Sequence, residues 1–193
     1  VNFLNYNRYY TVWNVILLFI IFCFIGWLWE VSLHLITTGN LVNRGMLHGP
    51  WLPIYGSGGI VILLLLKKLR NKPIIMFAVT VVLCGAIEYF ASLFMELFTG
   101  QRWWDYTGYF LNFNGRVCAE GLFVFGLMGM IIVYIVAPVI DHFLRKIPAK
   151  IAVIVAIVLI SLFMTDLVYS KFVPNTGEGI TESQPAVTEE VQP

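Results

Sequence analysis

The chain has 193 residues, of which 59% are apolar and only 12% charged, with a formal net charge of +1 and a mean hydropathy of +0.82. An ordinary soluble domain is about 45–50% apolar and about 25% charged. That contrast excludes a disordered chain, a coiled coil and a nucleic-acid-binding protein, and it points to the bilayer as the solvent.

Crossing a hydrocarbon core of ~30 Å takes roughly 20 apolar residues at a helical rise of about 1.5 Å. Five segments meet that requirement and predict an all-α integral membrane protein. They are 13–36, 51–66, 74–98, 121–140 and 151–170, within a single polytopic domain over 1–172. The second begins in a run rich in proline and glycine, and the outer loop that feeds it, Asn43 to Gly56, carries two prolines and three glycines, which predicts an irregular or re-entrant outer segment. Pro138 predicts a kink in the fourth. Residues 173–193 are polar and carry four of the eleven acids, and they read as a disordered acidic tail. The first apolar run is too long for a cleavable signal.

Arg8, Lys67, Lys68, Arg70, Lys72, Arg145, Lys146 and Lys150 fall on one side of these spans. Arg44, Arg102, Arg116 and Lys171 fall on the other. The basic side is expected to be cytoplasmic, which sets the N-terminus inside and the C-terminus outside a cell membrane.

Ionisable groups at membrane depth are costly and mark functional positions. Glu30 lies about 25 Å along its helix and Glu88 about 21 Å along the third. Glu96 is two turns further on the face of Glu88, with Ser92 between. Pooled with the outer loops, this layer holds Glu30, Asn43, Arg44, Tyr55, Glu88, Glu96, Arg102, Trp104, Asp105, Tyr106, Asn112 and Arg116, beside Glu120, His34 and His48. One outward-facing polar pocket is the simplest arrangement that satisfies them. The cytoplasmic face shows no comparable cluster, and Asp141 and Asp166, near span ends, read as solvated. Glu88 and Glu96 could clamp arginines across helices or contact a ligand. Trp103, Trp104, Tyr106 and Tyr109 could be an interfacial belt or a stacking platform.

The three cysteines, Cys23, Cys84 and Cys118, are far apart and suggest core packing. No zinc spacing, no HExxH motif and no P-loop is present, and no serine or cysteine has a nucleophile's setting. Neither a metal nor a catalytic residue is expected. Asn43-Arg44-Gly45 and Asn114-Gly115-Arg116 occupy the outer loops of two hairpins with the same topology, a faint parallel repeat.

The string Gly26-Trp27-x-x-Glu30, then Asn43-Arg44-Gly45-x-Leu47-x-Gly49-Pro50-x-x-Pro53-Ile54-Tyr55-Gly56-x-Gly58, resembles the first half of the ABC-transporter permease family called type IV or CmpB-like. The second half is similar through Glu88, Glu96, Arg102-Trp103-Trp104-Asp105-Tyr106, Asn112, Gly115-Arg116 and Cys118. The resemblance covers about residues 20–130; beyond it, spans four and five are alike only in hydrophobicity. It implies a bacterial multi-pass permease subunit with a cytoplasmic ATPase partner, ATP entering only through that partner. The two cytoplasmic loops, Lys67–Pro73 and about Leu144–Lys150, are short for such a partner. The residues themselves leave open a transport component, an intramembrane enzyme acting on a lipid or lipid-linked group, and a structural or regulatory partner. They also leave open a homo-oligomer.

Overall fold

The computed structural model describes residues 9–100, 102–177 and 179–180. Among the described residues, four helices are long and apolar enough to cross a membrane: Val12–Thr38, Pro73–Thr99, Ala119–Leu144 and Ala149–Phe172. Helix α1, Val12–Thr38, starts where the Thr11 hydroxyl accepts from the Asn14 N–H and ends at Gly39, whose φ of 76° admits the left-handed turn. Helix α2, Pro53–Leu65, has Pro53 in its first turn and runs 13 residues, then tightens into a 3-10 turn over Leu66–Leu69. At ~20 Å it is shorter than a hydrocarbon core. The predicted second span is thus a short helix fed by irregular chain. Residues 40–52 hold neither helix nor strand, as Gly45, Gly49 and Pro50 favour, whereas residues 53–56, expected to be irregular, open α2, because a proline is tolerated in the first turn of a helix.

Helix α3 is Pro73–Thr99. Helices α4, Ala119–Ile131, and α5, Ala137–Leu144, form one rod through a π-helical turn at Ile132–Val136. The Ala137 N–H reaches back to Ile132, an i→i−5 bond that widens the helix just before Pro138, which has no N–H to give. The predicted kink is therefore a π-bulge. Helix α6, Ala149–Phe172, ends the apolar body.

α1 packs chiefly on α2 and α3 on α4, with α6 and α5 set against α1 and α2 bridging to α3. Small residues let the first pair approach closely. A Cβ on Gly56 would strike Cys23 Sγ, one on Gly26 would strike the Tyr55 ring, and one on Gly59 would lie 2.6 Å from Phe22. The main core joins Leu18, Phe22, Ile62, Leu63, Met76, Val133 and Ala137. Outward faces stay apolar: Phe90, Phe94 and Phe98 form a ladder along α3, and Ile151, Ile154 and Val158 line α6. Such faces are unfavourable in water and cost nothing against lipid.

The basic end of the bundle is less bare than its sequence suggests. Asp141 is fully buried, not solvated. It accepts from Asn14 Nδ2 at 2.8 Å and pairs with Arg145 Nε at 2.6 Å. Arg70 is also buried, donating to the Leu63 carbonyl at 2.6 Å, while Tyr134 donates to the Arg70 carbonyl at 2.7 Å. A polar residue near a span end is solvated only if no other helix end covers it. Here α1 and α5 cover each other.

Candidate functional site: the acidic cavity at the opposite end

Loop 102–118 folds back onto α3. Its chain reverses at Leu111 and Asn114, with φ of 48° and 53°, and at Gly115, with φ of 65°. A Cβ on Gly115 would strike Asp105 Oδ1, so glycine is needed there for both conformation and space. Asn112 serves the turn, its Oδ1 accepting from the Gly115 N–H at 3.2 Å. Trp104 Nε1 donates to the Arg116 carbonyl at 3.1 Å, which makes this tryptophan a brace of the loop.

The folded loop delivers two arginines to Glu96. Arg116 lies 2.7 Å from its Oε2, and Arg102 lies 3.4 Å from the same oxygen and 3.3 Å from Asp105. Arg116 also donates to Ser92 at 3.0 Å and rests over the Tyr89 ring. The Thr107 hydroxyl and N–H, with Arg102, hold the Asp105 carboxyl below the usual carboxylate range. Two arginines thus meet two carboxylates, and their charges balance.

The other two carboxylates stand apart from the arginines. Tyr55 donates to Glu30 Oε1, and Tyr106 donates to Glu88 Oε1 at 3.0 Å. Among the described residues no lysine or arginine pairs with either. Burial, then the Glu88 carboxylate, push the Tyr106 phenol well above its ordinary range, so it serves as a donor. Glu88 is 4% exposed, and its second oxygen, Oε2, is buried without a hydrogen-bond partner among the described residues.

That glutamate lines a cavity of about 70 Å³ between α2, α3 and the α4 rod. Tyr55 is the other pocket residue named by the sequence that lines it. The remaining wall is apolar, including Ile54, Ile87, Phe125 and Met128, or backbone at Gly58, Gly59 and Gly129. Gly58 is buried, yet a Cβ there would meet nothing within 4 Å; its bare backbone leaves the space open.

The irregular segment forms a third group. Asn43 accepts from Trp27 Nε1 at 2.6 Å and donates to the His48 carbonyl at 2.8 Å. Arg44 donates to the Gly179 carbonyl. Asn175 binds the carbonyls of Asn43, Gly45 and Met46. The start of the expected tail is therefore laid on the irregular segment; 181–193 lie outside the described residues.

Asp166 is the anchor that sequence reasoning missed. It was expected to be solvated, but its side chain is 13% exposed. It accepts from the N–H of His48 and Gly49, from Trp51 Nε1 and from Ser170. Its depth was a usable signal: fifteen residues beyond Ile151 is about 22 Å, the layer of Glu30. The twelve residues pooled by sequence thus share one end of the bundle but fall into three groups. Among the described residues no cluster of three or more His, Cys, Asp or Glu could hold a metal.

No curated protein and no solved structure matches the chain. The family model described as "Putative ABC-transporter type IV" matches residues 17–171, extending through the fourth and fifth predicted spans. By that coverage, the chain belongs to this ABC-transporter-type family of membrane proteins.

Proposed function

We propose that the protein is the permease-type membrane subunit of a transport system and that its ligand engages Glu88. The observation that carries this reading is the buried, unpartnered Glu88 Oε2 on a cavity walled by three helices. An intramembrane carboxylate is expensive to desolvate, and a cavity beside it gives that cost a use. Membership of an ABC-transporter-type family supports the transport role. A cytoplasmic ATPase would then dock at the basic end, and ATP would act only through it. The excess of Lys and Arg in those loops supports a cytoplasmic N-terminus, with the acidic end outward. Within this reading Glu96, Arg102, Arg116 and Asp105 lock the outer loop, because their charges are already matched.

The test is purification of the tagged chain from its native host in mild detergent, with partners identified by mass spectrometry. A stoichiometric nucleotide-binding ATPase, whose hydrolysis in proteoliposomes falls at least tenfold in Glu88→Gln, is the expected result. A lone chain, or an ATPase indifferent to Glu88, overturns the reading.

A further inference from the structure

We infer that the Glu88 cavity binds a small primary amine: one ammonium group on a short apolar chain. The inference names a substrate class for the transport reading and rests on that reading for its biological role. Charge comes first. Arg102 and Arg116 are committed to Glu96 and Asp105. Glu30 and Glu88 together bring two carboxylates, and among the described residues their side-chain donors are the neutral phenols of Tyr55 and Tyr106. Glu88 is the buried one of the two, and a buried carboxylate without a counter-charge is unfavourable, so a single cation seated beside it in the cavity would be stabilised there.

The shape of the cavity selects the kind of cation. A metal ion of the hard class wants six or more oxygen ligands. This wall supplies the Glu88 carboxylate and the Tyr55 phenol, and is otherwise apolar. An ammonium group needs only a few acceptors and is also attracted to aromatic faces. Tyr55 and Phe125 meet edge to face on the wall, with ring centroids 6.3 Å apart. Ile54, Ile87 and Met128 can cover an alkyl chain. An apolar cavity of about 150 Å³ accepts benzene. A space of about 70 Å³ suits a chain of only a few carbons. Gly58, open where a side chain would stand, leaves room for that chain.

The test titrates the purified full chain, in maltoside micelles at pH 7, with n-propylammonium chloride, n-propanol or sodium chloride. Binding is read by calorimetry and by the thermal unfolding midpoint. Propylammonium is expected to bind and raise the midpoint, with propanol and sodium at least tenfold weaker. Glu88→Gln should weaken propylammonium binding at least tenfold. Gly58→Val, which leaves both carboxylates in place, should weaken it comparably by filling the cavity. If Glu88→Gln does not fold, the Gly58→Val result and the propanol comparison decide alone. Competition by phosphatidylethanolamine but not phosphatidylcholine would assign the ammonium to a lipid head group; its absence would assign it to a free amine. Equal binding of propanol and propylammonium overturns the inference, as does no binding of either. Neither result touches ATPase copurification, so the transport reading fails or stands separately.

Discussion

Tyr106 and Glu88 are eighteen residues apart, and the phenol of one donates to the carboxylate of the other at 3.0 Å. This bond ties the aromatic loop 102–118 to the interior of α3. Tyr106→Phe keeps the ring and deletes the donor, leaving the Glu88 carboxylate without the hydrogen bond that the described residues give it. A loss of about 1–3 kcal/mol is expected, read as a lower thermal midpoint in detergent. An unchanged midpoint would show that Glu88 does not depend on the loop.

Asp166 gathers the irregular segment onto α6. Its partners include Gly49 N at 2.9 Å and Trp51 Nε1 at 2.6 Å. Asp166→Ala orphans several donors at once and should cost about 3 kcal/mol or more. It should also expose 43–52 to added protease in the folded protein. Asp166→Asn retains one acceptor oxygen and should fall between. Equal cleavage of all three proteins would refute the anchoring role.

The two arginines of loop 102–118 are predicted to differ. Arg116 is buried and makes a forked contact, with Ser92 on one nitrogen and Glu96 on the other. A lysine cannot reproduce that fork, so Arg116→Lys should cost about 1–3 kcal/mol. Arg102 is 26% exposed on its side chain, and Arg102→Lys should cost less than ~1 kcal/mol. Chemical denaturation of both variants under one condition checks the ordering.

Asp141 offers a test of buried polarity at the basic end. Removing one partner of such a set costs about 3–5 kcal/mol, whereas replacing it by apolar groups of similar size is often neutral. Asn14→Leu should therefore be destabilising alone, and Asn14→Leu with Asp141→Leu should recover part of that loss. Arg145 is 46% exposed on its side chain and can turn to water. Strict additivity in the double-mutant cycle would show that the two residues do not act together.

Legibility in the sequence followed the kind of force involved. Apolar run length gave four long spans, and the glycines and proline of 43–52 gave most of the irregular segment, because both express local or solvent-level constraints; 53–56, expected to be irregular, are helical because proline is tolerated in a first turn. The run at 51–66 looked like a full span because hydrophobicity does not register that Pro53 opens the helix so late. Asp141 and Asp166 were misplaced because position along one helix does not reveal which other helix or loop covers it. Ser92 was visible between Glu88 and Glu96, but its link to Arg116 required the return of loop 102–118.

The sequence by itself determined the solvent, the long helices, the layer of Glu and Arg toward one end and, through its motifs, the family. These are set by composition, helical rise and residue order. Only the tertiary structure divided that layer. It matched both arginines to Glu96 and Asp105 and left Glu30 and Glu88 with phenols. It also placed bare Gly58 beside the open space at Glu88. Charge pairing falls off within a few ångströms in distance and is indifferent to separation in sequence, so which acid keeps its charge unmatched is decided only when the helices and loops have met.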